Sequence, residues 1–253
     1  MSDTHDRFER LNVAPAYQMV ADAIEREIIQ GRIRPGEPIG TESELVRQFG
    51  VNRSTVREGI RVLEQGGLIS RDSSRRLFAC GPHHNRLASR LSRALVLQEV
   101  TFRELYETSM VLELASIEQA VERATEKNIA ELSENVAKTE AAIDDPARIA
   151  ELNSEFHALI AKASQNRVLQ LAREPTGLLF FPTTEVICRK VAEGALRMIE
   201  ANRMMLKAIK ARDKKSAILW MRRQVDDWRK GFERTGKTLD EAVDKSYLRA
   251  ATR

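Results

Sequence analysis

Three amphipathic stretches follow one another within the first 67 residues, each closed by glycine, and this punctuation leaves room for little besides a small helical head. Residues 17–30 carry Met19, Val20, Ala23, Ile24, Ile28 and Ile29 at the i, i+3, i+4 recurrence of a helix, and Gly31 stops it. Arg34-Pro35-Gly36 is a turn. Thr41, with Glu44 three positions on, has capping-box spacing and opens a second helix through Leu45, Val46 and Phe49, closed by Gly50. Asn52 is the candidate N-cap of a third helix bearing Val56, Ile60 and Leu63 and ended by Gly66-Gly67. Two β-like runs, 68–70 and 77–80, flank polar residues 71–76 and read as a hairpin. Helices followed by a hairpin predict a winged helix-turn-helix over residues 16–81, with residues 1–15 as an N-terminal arm.

At about 100° per residue, Arg53, Ser54, Arg57 and Arg61 fall within an arc of about 100° on the third helix, apart from the apolar stripe. Recognition helices set their N-terminal residues against base edges in the major groove, where arginine pairs with guanine. Base readout is therefore assigned to Arg53 and Arg57. Asn52, Ser54 and Thr55, at the helix N-terminus, are candidates for phosphate binding, helped by the free amides there. Arg47 and Arg61 fit phosphate contacts. The bases of residues 1–82 are all arginine, 12 of them against 12 acidic residues, whereas every lysine lies later. Arginine suits two-pronged hydrogen bonding, although codon bias gives the same composition. One recognition helix reads only a half-site, so a homodimer on palindromic double-stranded DNA is expected.

Gly81-Pro82 and the residues after it break all periodicity, so a linker is placed at 82–86. Beyond it the pattern is helical almost throughout, at 87–97, 102–124, 127–143, from Pro146 to 163, 168–188 with interruptions at Pro175 and Pro182, 191–211 and 214–234. This predicts an all-α domain of six or seven helices over 87–235, then a charged tail over 236–253 with weak periodicity at Leu239, Val243 and Tyr247. The fold class is mainly α. Two cysteines in 253 residues build neither a disulfide framework nor a paired-cysteine zinc site. The uncharged stretches at 11–21 and 175–184 are too short for a membrane span, and the first twenty residues lack the apolar core of a secretory signal. A cytoplasmic protein without a membrane partner is expected. No nucleophile or phosphate motif suggests an enzyme.

Ile28-Ile29-Gln30-Gly31-Arg32-Ile33-Arg34-Pro35-Gly36, Glu42-Ser43-Glu44-Leu45, Phe49-Gly50-Val51-Asn52-Arg53-Ser54-Thr55-Val56-Arg57-Glu58 and Leu63-Glu64-Gln65-Gly66-Gly67-Leu68-Ile69 together resemble the GntR family of bacterial transcription regulators. Residues 87–235 resemble the FCD effector-binding domain of its FadR subfamily. The resemblance implies base reading by Arg53 and Arg57 and a homodimer controlled by a small-molecule effector, with repression the commoner sign. Two departures stand out. Ser43 replaces an arginine between the glutamates of the second helix, and the wing tip, which usually holds glycine, reads Ser73-Ser74-Arg75-Arg76, so Arg75 or Arg76 is a candidate for minor-groove insertion.

Many FCD domains hold a divalent metal with one aspartate and three histidines beside a small carboxylate. Here Asn153 stands where the aspartate would be, His157 is retained, and Asn202 and Gln224 replace histidines. Amides are poor ligands for such ions. The expectation is no metal and no other cofactor, with Asn153, His157, Asn202 and Gln224 either lining an effector pocket or forming a ligand-free polar core. The family's pocket arginine falls at Ser109. With that cation and the metal both replaced, a neutral, hydroxylated or larger apolar effector is expected, with Phe180, Phe181, Trp220 and Trp228 as stacking candidates. The alternative is a metal-sensing regulator using His83, His84 and His157.

Overall fold

Apolar residues at helical spacing fold the N-terminal part into α1 (Ala16–Ile29), α2 (Glu42–Phe49) and α3 (Arg53–Gly66). The computed structural model describes residues 14–80, 84–191 and 193–244, and the chain divides into two units, Met1–Arg86 and Leu87–Arg253. In the first unit Val20, Ala21, Ile24, Leu45, Val56, Ile60 and Leu63 form the core. The helix stops follow their local chemistry. Thr41 accepts a hydrogen bond from the Glu44 amide while the Glu44 carboxylate accepts from the Thr41 amide, and Gly50 ends α2 at φ 65°. Gly59 allows α1 to lie directly on α3, since a Cβ there would stand 2.8 Å from the Tyr17 carbonyl oxygen.

The expected hairpin is part of a three-stranded antiparallel sheet. β2 (Ile69–Arg71) and β3 (Leu77–Ala79) pair as expected, and β1 (Pro38–Gly40) pairs with the other edge of β3, giving the order β1-β3-β2. Three residues after a proline-glycine turn are too few to show alternation, which is why β1 was not legible.

The second unit contains most of α4 (His84–Leu97) and all of α5 (Phe102–Arg123), α6 (Glu126–Ala141), α7 (Pro146–Ala163), α8 (Arg167–Lys190), α9 (Gly194–Lys210) and α10 (Lys214–Arg234). Side-chain caps at Thr101, Thr125, Asp145 and Asp213 open α5, α6, α7 and α10. One core cluster joins Ile117, Leu132, Phe156, Ile160, Met205 and Met221, and another joins Val96, Phe102, Leu179, Ile187 and Phe232.

Three expectations are corrected here. The linker expected at 82–86 is shorter, because α4 already begins at His84. Pro175 and Pro182 do not interrupt α8, which runs for 24 residues through both. Each proline removes one backbone donor, and packing on both sides of α8, with Leu179 and Ile187 buried, holds the helix regardless. Of the tail expected from 236 onward, the described residues 236–244 are folded and contain no helix. The amides of Phe102 and Arg103 donate to the carbonyls of Glu241 and Leu239, Val243 donates to Val100, and Leu239 and Val243 are buried. The arm, apart from residues 14 and 15, and the tail beyond Asp244 lie outside the described residues.

Candidate DNA-reading surface and effector cavity

Val56, Ile60 and Leu63 fasten one side of α3 to the core, which leaves Arg53, Ser54, Arg57 and Arg61 exposed on another. Arg53 donates from Nη2 to the Ser43 hydroxyl at 2.9 Å, so the side chain at the departure position steadies the first arginine of the helix. The nearest carboxylate to Arg57 is Glu42, 3.9 Å away. Arg61 is engaged by Glu58 one turn earlier, at 2.5 Å. Arg47 is exposed at the end of α2. Asn52 caps α3 by accepting from the Thr55 amide, and the Ser54 hydroxyl also donates to its side-chain oxygen. These two polar groups are thus spent partly on the helix end.

Arg71, which the sequence did not single out, donates to Glu42 on α2 and Glu64 on α3 at 2.8 and 2.6 Å, tying the sheet to both helices. At the wing tip the Asp72 carboxylate accepts from the Ser74 and Arg76 amides and the Ser74 hydroxyl. Arg75 sits at φ 64°, the left-handed conformation that normally falls to glycine, and both Arg75 and Arg76 are exposed.

In the second unit, α5, α7, α8, α9 and α10 surround a cavity of about 110 Å³. Ser109, Asn153, His157 and Gln224 line it. Gln224 Nε2 donates to Asn153 Oδ1 at 3.2 Å and to Asn202 Oδ1 at 2.7 Å, so the three amides meet as expected, although Asn202 does not itself line the cavity. His157 is not part of that hydrogen-bonded trio. Its Nδ1 stands 2.9 Å from Oε2 of Glu113, close enough to pair electrostatically but out of line for a hydrogen bond. Glu113 in turn accepts from Nε of Arg173 at 2.8 Å. Burial pushes the Glu113 carboxyl up, but His157 and Arg173 outweigh it and hold the group at about 2. Buried Gln224 Oε1 and Asn202 Nδ2 have no hydrogen-bond partner among the described residues.

Phe180 and Trp228 meet edge to face at 4.3 Å on the cavity wall, with the Trp228 indole N–H donating to Thr183. Trp220 does not join them. It packs against the other core cluster with Arg223 over its ring. The Phe181 side chain lies outside the described residues, as do His83 and the side chain of His84.

Residues 16–78 match the family of bacterial regulatory proteins called gntR, and residues 104–227 match the FCD domain. The uncharacterized HTH-type transcriptional regulator YdhC of Bacillus subtilis is 30% identical over 168 residues, 65% of this chain and 68% of that protein. The chain belongs to the GntR family. It is a transcription regulator with a DNA-binding head and an FCD effector-binding domain. The Glc operon transcriptional activator of Escherichia coli is also 30% identical, over 66% of this GntR protein and 68% of its own length. The solved Streptococcus agalactiae GntR structure has the same fold, with a TM-score of 0.62 at 22% identity, covering 85% of this chain and 99% of that one. Among the described residues, no helix is long and apolar enough to cross a membrane.

The donors of this GntR protein do not fit the metal that many FCD domains hold. Three of the four positions carry neutral amides, and the remaining imidazole faces Glu113 through Nδ1. The expected loss of the pocket cation is corrected: Ser109 is small and neutral, but Arg173 from α8 lines the same cavity. Sequence reading missed both members of the buried pair. No local signal marks Arg173, which follows Arg167 and Gln170 and precedes Glu174 on a helix whose Val168 and Ala172 are exposed.

Proposed function

We propose that this GntR protein is a homodimeric repressor that binds a palindromic operator near a metabolic operon and is released by a small organic effector bound in the FCD cavity without metal. The observation that carries the DNA reading is the N-terminal face of α3, where Arg53 and Arg57 are exposed with no carboxylate closer than 3.9 Å to Arg57 and only a serine hydroxyl on Arg53. In this reading both arginines address base edges. Asn52, Ser54, Thr55, Arg47 and Arg61 address phosphates, and Arg75 and Arg76 enter the minor groove.

Metal-free binding is supported by the donor chemistry of Asn153, Asn202 and Gln224, which offers hydrogen bonds in place of coordination. Release follows if the effector favours one arrangement of the two heads in the dimer over the other. Gel retardation of fragments from the gene's own promoter region, with random duplex as competitor at physiological salt, tests the proposal. A fragment retained selectively is expected; equal retention of all duplexes sinks it. Metal analysis of the purified protein tests the second half, and a tightly held ion in every chain overturns it.

A further inference from the structure

Arg173 is 6% exposed and is held by one of its three nitrogens only, Nε, which donates to Glu113. Its Nη1 and Nη2 have no hydrogen-bond partner among the described residues and are not sealed from the cavity that Arg173 lines. A buried guanidinium with its outer fork unoccupied is costly unless something pairs with it. Gly177, one turn further along α8, leaves one face of that guanidinium uncovered. A Cβ there would lie 3.3 and 3.4 Å from Nη2 and Nη1. The surroundings also favour an anion. Arg173, Arg197, Lys230 and Arg234 line the cavity against the carboxylates of Glu113 and Asp227, with Arg197 shared between Asp227 and Glu193. The lining also includes the apolar side chains of Phe180, Ile187, Val225 and Trp228.

We infer that Arg173 is the residue that selects the effector, receiving a monocarboxylate with an apolar body on Nη1 and Nη2, and that Glu113 is the positioning residue that aims the fork. The cation has moved from the position of Ser109 on α5 to α8. Glu113, one turn beyond Ser109 on α5, now orients that cation. A planar carboxylate accepts two parallel N–H bonds from a guanidinium fork, a geometry that an amide of the same shape cannot copy because its nitrogen donates. This inference rests on the proposed effector cavity and names what that cavity recognises without a metal ion.

The test uses the full chain after exhaustive EDTA treatment, with matched acid and amide probes: butyrate with butyramide, lactate with lactamide and benzoate with benzamide. Melting temperature and calorimetric binding are read. At least one acid is expected to raise the melting temperature by several degrees while its amide does not. Arg173→Gln abolishes the response, and Glu113→Gln weakens it by roughly tenfold or more. Where the Arg173 variant fails to fold, Gly177→Ala decides, because its methyl group presses on Nη1 and Nη2 of Arg173 without removing either charge of the pair; the acid response is then weakened. The inference is overturned if amides act as well as acids, if no acid binds, if the response disappears on EDTA treatment, or if the Gly177 variant responds like the wild type. Selective retention of promoter DNA without any probe is measured in parallel, so failure of the regulator reading is distinguished from failure of the carboxylate site.

Discussion

In the head, Arg53 and Arg57 stand in solvent beside a serine hydroxyl and a carboxylate 3.9 Å away. In the FCD domain Arg173 is buried and held by Glu113 at 2.8 Å, with His157 on the other carboxylate oxygen. Water screens an exposed cation, so the fold is indifferent to its removal and the side chain is at liberty to bind something else. A buried cation must be compensated inside the protein, so the same group is at once part of the fold and part of the site. The two halves of this regulator therefore respond differently to substitution of the same residue type.

The contrast is sharpest when Glu113 alone is removed. Glu113→Leu leaves Arg173 buried without its partner and is expected to destabilise the protein by about 3–5 kcal/mol. Glu113→Gln combined with Arg173→Met is expected to lie far closer to wild type. Denaturant unfolding of both variants decides, and equal losses would show that the pair does not act as a unit.

Arg53→Ala provides the opposite case. It is expected to cost about 1–3 kcal/mol of operator binding in each half-site, with an unchanged melting temperature. Fluorescence anisotropy on operator and random duplex reads the first effect and calorimetry the second. A drop in melting temperature comparable to that of the Glu113 variant would erase the distinction between the two regions.

A third check uses acid. Glu113 is held at about 2 in the folded protein against an ordinary 4.5, so its contribution to stability is complete above the ordinary value and is lost as pH falls through the interval toward 2. Melting curves over that interval should fall more steeply for the wild type than for the Glu113→Gln, Arg173→Met variant. Parallel curves would remove Glu113 as the cause.

The smallest effect concerns the wing. Arg75→Gly relieves a left-handed backbone and is expected to stabilise the head by about 1 kcal/mol while weakening retention of the operator. A variant that binds DNA as well as the wild type would show that the arginine at this glycine-like position has no part in readout.

Legibility in the sequence followed burial. The α3 face was readable because polar and apolar residues on an exposed amphipathic helix separate by angle, and Val56, Ile60 and Leu63 sit where their spacing places them. Caps at Thr41 and Asn52 were readable for a similar reason, since each involves only residues three apart. β1, the uninterrupted α8 and the packing of Leu239 and Val243 were not, because each depends on a partner distant in sequence. The amide cluster was found only through the resemblance to the FCD domain. The Arg173–Glu113 pair spans 60 positions and has no pattern that a linear reading detects.

From the order of residues alone came the helical class, the two-domain division and the exposed arginine face of α3, since these rest on short-range periodicity and capping. Tertiary structure alone decided that α8 brings a guanidinium to face α5, because a charge enters a protein interior only where a distant segment supplies its counterion, and no local rule specifies which segment that is.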